Sequence, residues 1–395
     1  MLVKRKAVAV LAIVCMILTA CGSHNHPEAA FTSAADLTET GKSADSAWPS
    51  HLDQNISSHF SINADLSYPS ECKAGISETA TMGDKNLWDR RDEMMSALIP
   101  PDQQTARSTE NDGSWENKSD YCESKDGKDL FNIDGLGGLT YEKDKDAVQH
   151  IENAIDTDPV SSSYNGDVYM SHGDLDFKTK QEAWDEAKKF LSRLGIDQIS
   201  DHYQCFPMDY QTMGQEEKKL NAINEAAIGK HYDTKTDWTQ KDNCYYFLTY
   251  QEWNGEKVVP AYEGEGTDTY SIWIIVNAEG VEGLSVNSYY PVKSDGSKID
   301  IKSPSELLSS LKNYFENIIT DDTYEVNHIW LGQKMIMQGD DPHTWTLTPV
   351  WNVKMKITPA PMGTDSAESG MDSIAQAPYA SYVSFDASTL KVINS

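Results

Sequence analysis

Two segments of the chain repeat one pattern of residues, and this repetition limits the possible folds more than any other feature of the sequence. Residues 175–182 read LDFKTKQE, and residues 299–306 read IDIKSPSE. In each segment, alternating apolar residues precede a hydroxyl residue, Thr179 or Ser303, and a glutamate follows three positions later. This spacing is a capping box, in which the hydroxyl and the glutamate bind free amide groups at the start of a helix. We therefore expect a short strand followed by a helix at both places.

The similarity continues through the two helices and into the segments behind them. Behind each helix, alternating apolar residues and Asx-Ala turns indicate about four antiparallel strands, and an inserted helix near 215–228 interrupts the first set. We predict an α+β fold of two tandem repeats, each one helix packed on a curled antiparallel sheet, after a disordered N-terminal tether. The apolar helix positions, which recur at helical spacing, correspond at one constant offset. They are Ala183, Trp184, Ala187, Phe190, Leu191 and Leu194 in the first helix and Leu307, Leu308, Leu311, Tyr314, Phe315 and Ile318 in the second.

Composition divides the chain into five parts. Residues 1–20 read as a lipoprotein signal peptide. Residues 21–70 are expected to be a flexible linker, because their Ser, Ala, Asp, Thr, His and Asn side chains bury too little apolar surface to offset the entropy of ordering. Residues 71–173 form an N-terminal region whose fold the sequence does not indicate. The first helix-on-sheet repeat is predicted over 174–297, and the second over 298–395.

The beginning of the chain has the features of an export signal. Three basic residues at positions 4–6 precede an apolar run over 7–17, which is shorter than the roughly twenty residues of a membrane-spanning helix. The run ends in Leu18-Thr19-Ala20-Cys21, which resembles the bacterial lipoprotein signal. The resemblance implies that Cys21 becomes the first mature residue and carries diacylglycerol. We expect an extracytoplasmic protein anchored to the cell membrane by lipid on Cys21.

The charge of the chain limits its partners. There are 33 Lys and Arg residues against 62 Asp and Glu residues, a formal net charge of −29. Phosphate recognition depends on cationic side chains, so nucleic acid is not expected as a partner and anionic wall polymers are disfavoured.

Six cysteines are present, of which Cys15 leaves with the signal and Cys21 receives the lipid. An even number of remaining thiols in an exported chain indicates two disulfides, and three pairings are possible. Sequence order favours Cys72 with Cys122 and Cys205 with Cys244, while four buried free thiols are the alternative. A zinc site is not expected, because no two of these cysteines have the short spacing that zinc sites use.

The sequence carries no signature of catalysis. It contains neither the H-E-x-x-H motif of zinc proteases nor the G-x-S-x-G motif of serine hydrolases. We nominate no catalytic residue, no cofactor and no metal ligand, and the pair His24 and His26 is expected to be solvated. Aromatic residues crowd the predicted first repeat, where core packing is the favoured explanation and a platform for glycan or peptide is the alternative. They are Tyr245, Tyr246, Phe247, Tyr250, Trp253, Tyr262, Tyr270, Trp273, Tyr289 and Tyr290.

A helix followed by strands and a closing hairpin, here Val383 to Ile393, is similar to PepSY-like modules. Their tandem arrangement on an exported anchor resembles the YycH and YycI regulators of Gram-positive bacteria, over about 174–395. The chain departs from them in its lipid anchor, in the insertion near 210–243 and in a loop rich in Pro, Gly and Ser over 358–378. The resemblance implies a non-catalytic protein that binds or regulates another envelope protein. The alternative is a solute-binding lipoprotein that captures glycan or peptide between its repeats.

Overall fold

The fold is described from a computed structural model that covers most of the chain after the predicted signal. The predicted signal peptide, Cys21, His24 and His26 lie outside the described residues. The described residues belong to one structural unit. The described residues are 48–69, 72, 75–83, 86–110, 118–159, 161, 163–229, 233–259, 270–316, 318, 320–337, 345–360 and 378–393.

The described residues form an α+β fold of six α-helices and eighteen strands. The helices are α1 (Arg91–Leu98), α2 (Lys145–Asn153), α3 (Gly166–Met170), α4 (Lys180–Arg193), α5 (Tyr210–Ile228) and α6 (Pro304–Glu316). The strands are β1 (His51–Asn55), β2 (Phe60–Ser67), β3 (Ile76–Met82), β4 (Ser108–Glu110), β5 (Ser119–Glu123), β6 (Leu130–Asp134), β7 (Leu139–Glu142), β8 (Gln204–Met208), β9 (Cys244–Thr249), β10 (Glu252–Trp253), β11 (Glu256–Val259), β12 (Ile272–Asn277), β13 (Gly280–Val286), β14 (Val292–Asp300), β15 (Thr323–Met337), β16 (Trp345–Thr358), β17 (Tyr379–Asp386) and β18 (Val392–Ile393).

The strands form two sheets. The eight-stranded sheet has the order β4-β5-β6-β7-β13-β12-β9-β8, and all its neighbours are antiparallel. The ten-stranded sheet has the main order β1-β2-β15-β16-β17-β18, with β3 between β14 and β16 and with β11 between β10 and β15. In this sheet β15 runs parallel to both β2 and β11, and its other pairings are antiparallel. Each sheet therefore draws strands from distant parts of the chain.

Helices cover both faces of the eight-stranded sheet. On one face, α1 and α4 pack against alternate residues of β9 and β12, and Trp184 contacts Phe247 with ring centroids 5.3 Å apart. On the other face, residues of α2, α3 and α5 enclose the intervening side chains, among them Tyr246 and Ile275. This double cover explains why β12 carries apolar residues on both of its faces.

In the ten-stranded sheet, α6 packs on one face, which we call the inner face. Leu307, Leu311 and Phe315 of α6 are buried against apolar residues of β2, β15, β16 and β17. The rings of Phe315 and Phe60 stack with centroids 4.1 Å apart. Burial of these side chains supplies the hydrophobic stabilisation of this part of the molecule.

The prediction of a flexible linker over 21–70 is wrong for its last third. Residues 51–55 and 60–67 form β1 and β2, which pair with each other, and β2 also pairs with β15. Alternate residues of β2, namely Phe60, Ile62, Ala64 and Leu66, are buried under α6. The alternation is present in the sequence FSINADLS, but polar neighbours lower the average hydrophobicity of the segment and conceal it.

The two sheets also cross the predicted domain boundaries. The region 71–173 contributes β3 to the ten-stranded sheet and β4 to β7 to the eight-stranded sheet. The range predicted as the first repeat, 174–297, holds β10 and β11, and β14 begins in it, although these strands belong to the ten-stranded sheet. Pairing between distant segments decides sheet membership, and composition along the chain does not reveal such pairing.

Both predicted capping boxes are present. The Glu182 amide donates to Thr179 Oγ1 over 3.2 Å, and the Glu306 amide donates to Ser303 Oγ over 3.3 Å. Each glutamate accepts in return from the backbone amide of its hydroxyl residue, at 2.8 Å and 2.9 Å. The strand expected before α4 is absent, because Leu175 and Lys178 instead close a tight turn through an isolated bridge.

Candidate ligand-binding cleft

The four cysteines that the sequence offered for disulfides are free thiols, so both predicted disulfides are absent. Cys205 lies opposite Phe247 in the β8–β9 ladder, and Cys244 lies three residues further along β9. An odd separation on a strand places the two side chains on opposite faces, where the sulfur atoms cannot meet. Cys72 lies in the core under α6 and Cys122 in the core under α4.

Burial also makes the thiols of Cys205 and Cys244 poor nucleophiles. It raises the pKa of Cys205 to about 12 and raises the pKa of Cys244 further still. Because the thiolate is the reactive form, both groups are inert at neutral pH. Within the described ranges, no group of three or more His, Cys, Asp or Glu side chains is placed to hold a metal ion. No described helix is long and apolar enough to cross a membrane.

A cavity of about 430 Å³, which we call the cleft, opens where residues of the ten-stranded sheet meet segments that flank the eight-stranded sheet. This volume lies in the range of pockets that take small ligands. Its lining residues are Ser67, Tyr68, Pro69, His202, Tyr250, Gly255, Lys257, Tyr270, His328, Trp330 and Leu331. Six of these eleven residues carry an aromatic ring, so aromatic residues make up more than half of the lining.

One wall of the cleft comes from β2 and β15. Their parallel pairing sets Ser67 beside Trp330, and Ser67 Oγ lies 3.1 Å from His328 Nε2. The rings of His328 and Trp330 stack with centroids 5.0 Å apart and planes inclined by 27°. Residues 326 and 328 flank a register shift in β15, and such bulges redirect side chains.

The opposite wall comes from the ends of β9 and β12, which are neighbours in the eight-stranded sheet. Tyr250 follows β9, Tyr270 precedes β12, and their ring centroids lie 6.1 Å apart. The ammonium group of Lys257 lies 5.1 Å from the centre of the Tyr250 ring, within the range of a cation–π contact. Burial raises the pKa of the Tyr250 hydroxyl, so this group is a neutral hydrogen-bond donor at physiological pH.

The cleft differs in charge from the rest of the protein. The chain has 62 acidic residues in 395, yet none of the described lining residues is Asp or Glu. The polar groups that line it are hydroxyls, imidazoles and the Lys257 ammonium. The lining therefore favours ligands that are rich in hydrogen-bond acceptors.

The aromatic residues of the predicted first repeat divide between core and cleft. Tyr245, Tyr246, Phe247, Tyr289 and Tyr290 are buried, as core packing predicts. Tyr250 and Tyr270 line the cleft, as the platform alternative requires. Tyr262 lies outside the described residues.

Sequence reasoning missed Tyr68, His328 and Trp330. In β15 the signal was an aromatic residue, Trp330, between the two buried aliphatic residues Ile329 and Leu331. The alternation of a strand places Trp330 on the face opposite these two residues.

No protein-family model and no curated protein sequence matches the chain. Nine chains of solved structures match it. One is the crystal structure of an uncharacterized protein from Eubacterium rectale ATCC 33656, with a TM-score of 0.59 and 15% sequence identity. The match covers 89% of this chain and 96% of that chain. At this identity the likeness concerns the fold alone, and the resemblance to PepSY-like modules stays a prediction.

Proposed function

We propose that the protein is an exported, non-catalytic binding protein that captures a saccharide in the cleft and is held at the cell membrane by lipid on Cys21. The observation that carries this proposal is the set of aromatic rings on the two walls of the cleft. The flat apolar face of a sugar ring packs on an aromatic ring, while its hydroxyl groups need polar partners at the rim. Ser67, His202 and Lys257 provide such partners.

The proposal is tested by ligand-induced stabilisation of the purified chain. A panel of oligosaccharides and short peptides is screened for a rise in melting temperature, since a ligand at a hundredfold excess over its Kd adds about 2.7 kcal/mol to stability. We expect saccharides to raise the melting temperature and peptides to leave it unchanged. Stabilisation by peptides alone would replace the saccharide with a peptide ligand, and a flat response to the whole panel would refute binding in the cleft.

Variants of residues that line the cleft test whether the saccharide binds there. Tyr250→Ala and Trp330→Ala each remove one ring, and we expect each to weaken saccharide binding about tenfold or more. Tyr379→Ala is the matched control, because Tyr379 is 48% exposed and is not among the lining residues. Equal affinities in the variants, the control and the wild type would place the ligand elsewhere.

Binding of another envelope protein is a second proposal, and the edge of the ten-stranded sheet favours it. Among the described residues, β1 pairs only with β2, so its outer edge offers backbone groups to an added strand. The loop rich in Pro, Gly and Ser over 358–378 lies for the most part outside the described residues. Crosslinking on intact cells, compared between the wild type and a Gln54→Pro variant of β1, tests this proposal. Unchanged crosslinks would exclude the edge.

We further propose that the molecule contains a duplicated unit, in which one helix packs on a curled antiparallel sheet. Two observations support it. Helix α4 precedes β8, β9, β12 and β13, and α6 precedes β15, β16, β17 and β18. The four strands of each set are neighbours in their sheet and follow one another there in the order of the chain, although β10 and β11 of the other sheet lie between β9 and β12 in the sequence. Three of the six corresponding helix positions are buried in both units, namely Ala183 and Leu307, Ala187 and Leu311, and Leu191 and Phe315, while Leu308, Tyr314 and Ile318 are only half-buried.

A further inference from the structure

The helices on the second face of the eight-stranded sheet leave part of that face uncovered in the described part of the chain. The apolar cluster beneath α2, α3 and α5 takes its strand residues from β8, β9 and β12, and it contains none from β4 to β7. On the first face, alternate residues of β5, β6 and β7 are buried with α1 and α4, among them Cys122, Phe131 and Tyr141. These strands therefore have one apolar face that is packed and one polar face that is open.

One row of side chains crosses the sheet from β4 to β9 and shows where the helix cover ends. Each residue of the row lies opposite the next one in the strand ladders. The row ends with Trp273 and Leu248 on β12 and β9, which pack in the cluster beneath the helices. It begins with four polar residues on β4 to β7, namely Ser108, Tyr121, Asn132 and Thr140.

A cavity of about 530 Å³, which we call the polar groove, lies over the polar end of this row. Its volume is in the range of pockets that take small ligands. Besides the four residues of the row, its lining consists of Ser119, Leu130, Glu110 and Glu142. No residue of this lining is Lys, Arg or His, and none also lines the cleft. The polar groove is therefore a separate site, and both of its charged side chains are acidic.

The two glutamates of the polar groove have no cationic partner among the described residues. No described side chain forms a salt bridge or a hydrogen bond with Glu110 or Glu142. Lys145, the cation whose charge acts on Glu142, pairs with Glu123 instead, with 2.7 Å between Nζ and Oε1. Burial raises the pKa of Glu142, and the charge of Lys145 opposes this only in part. An incoming cation would stabilise the ionised carboxylate.

The other lining groups are suited to a ligand that donates hydrogen bonds. The Tyr121 hydroxyl donates to Glu123, so its oxygen remains able to accept. The side chains of Asn132 and Thr140 bond to no described residue and can also accept through their oxygen atoms. Leu130 is the one aliphatic lining residue and Tyr121 the one aromatic residue, so the polar groove offers little surface to a sugar ring.

The two glutamates lie at opposite corners of the polar groove. Glu110 on β4 pairs with Ser119, on one side of the row, and Glu142 on β7 pairs with Leu130, on the other side. Three strand spacings of roughly 4.8 Å and about four residues of roughly 3.4 Å place the two Cα atoms about 20 Å apart. A ligand that reaches both carboxylates must therefore be long and carry a cation at each end.

We propose that the polar groove binds a linear polyamine, with one terminal ammonium group at Glu110, the other at Glu142 and the inner amines on the hydroxyl and amide groups of the row. Spermine has thirteen bonds between its terminal nitrogens and spans about 15 Å, at roughly 3.5 Å per three bonds of extended chain. The flexible glutamate side chains can make up the difference. A basic peptide fits less well, because its backbone would bring carbonyl acceptors to a lining that is rich in acceptors.

Isothermal calorimetry of the full chain with spermine and with putrescine tests the proposal. The titrations are made at physiological ionic strength, where attraction between distant exposed charges is screened. Putrescine spans only about 6 Å and reaches one glutamate. We expect one spermine per chain, bound about 10- to 100-fold more tightly than putrescine, because only spermine gains a charge-assisted hydrogen bond at both ends. Equal affinities would overturn the proposal, and tighter binding of tetralysine than of spermine would assign the polar groove to basic peptides instead.

Three variants and one control locate the bound spermine. Glu110→Gln and Glu142→Gln each remove one charge, and we expect each to weaken spermine binding about tenfold or more. Thr140→Val removes a hydroxyl group from the row without changing the charge, and we expect a loss of about 3- to 10-fold. Glu316→Gln is the matched control, because it removes the same charge at an exposed position at the end of α6 and should leave the affinity unchanged.

The variants also separate a site from general attraction to an acidic chain. Equal losses of affinity in Glu316→Gln, Glu110→Gln and Glu142→Gln would show general attraction and overturn the site. An unchanged affinity in Thr140→Val, with its fold checked by circular dichroism, would overturn it as well. Failure of spermine to bind the wild type would overturn the polyamine site and leave saccharide capture in the cleft standing.

Discussion

The two sheets of the molecule differ in how their faces are covered. The eight-stranded sheet carries helices on both faces, and apolar residues pack beneath them. The ten-stranded sheet carries α6 on its inner face, and its opposite face holds Trp330, which lines the cleft, beside the buried polar residues Asn352 and Lys334. Helices on both faces stabilise the eight-stranded sheet, whereas the face opposite α6 in the ten-stranded sheet carries aromatic and polar groups that line the cleft.

The largest expected effect concerns the two helices that open the proposed repeats. Trp184 of α4 is 1% exposed and packs on Tyr203 and Phe247, while Leu308 of α6 is only half-buried. We expect Trp184→Ala to lower the free energy of unfolding by about 3–5 kcal/mol and Leu308→Ala by less than about 2 kcal/mol. Urea unfolding measures both. Equal losses of unfolding free energy would mean that Trp184 and Leu308 contribute equally to the packing of their helices.

The second prediction concerns Asp120, a buried and paired acidic residue on β5 of the eight-stranded sheet. Burial alone would raise the pKa of Asp120, but hydrogen bonds from Arg107, Thr109 and Arg91 outweigh it and hold the pKa below its ordinary value. A lowered pKa stabilises the fold at neutral pH, and this contribution is lost as the pH falls through the folded-state pKa. We expect Asp120→Asn to cost about 2 kcal/mol at pH 7.

The Asp120→Asn variant should also lose less stability than the wild type between neutral and acidic pH. Melting temperatures at several pH values measure this difference. Parallel pH profiles for the variant and the wild type would contradict the assigned role of the ion pairs.

The third prediction concerns Lys334, a buried lysine on the face of the ten-stranded sheet opposite α6, for which no described acidic side chain is a salt-bridge partner. Burial lowers the pKa of Lys334, so the folded state binds its proton less readily than the unfolded state. We expect Lys334→Met to raise the free energy of unfolding by about 1 kcal/mol at pH 7. Because wild-type stability rises with pH above the folded-state pKa of Lys334, the advantage should shrink toward the lysine's unfolded-state pKa. A destabilised variant without ligand would show that Lys334 has a structural partner.

The smallest expected effects on stability concern the N-terminal caps of α4 and α6, which the proposed duplication makes equivalent. Thr179 and Ser303 form capping boxes with hydrogen bonds of nearly equal length. We expect Thr179→Ala and Ser303→Ala each to cost about 1 kcal/mol. Calorimetric melting of both variants measures this, and a loss confined to one of them would weaken the case for a duplicated unit.

Local signals in the sequence predicted local structure well. The capping boxes before α4 and α6 appear where the spacing of Thr179 and Ser303 indicated, since such caps depend on neighbouring residues alone. The inserted helix expected near 215–228 is α5, which begins earlier, at Tyr210, because Asp209 caps it.

Contacts between residues that are far apart in the chain could not be predicted from the sequence. Strand β2 joins β15 across more than half of the chain, and the contact between Ser67 and His328 spans 261 positions. The cleft is built from such contacts, so no local pattern marked it. The disulfide prediction failed for the same reason, because sequence order does not reveal that Cys205 and Cys244 occupy opposite faces of one sheet.

A crystal structure of the chain with a bound oligosaccharide tests the central claim most directly. The account predicts a sugar ring against Trp330 or Tyr250, with its hydroxyl groups within hydrogen-bond distance of Ser67, His202 or Lys257. An ordered sugar at another surface, or an empty cleft at a saturating concentration, would contradict it.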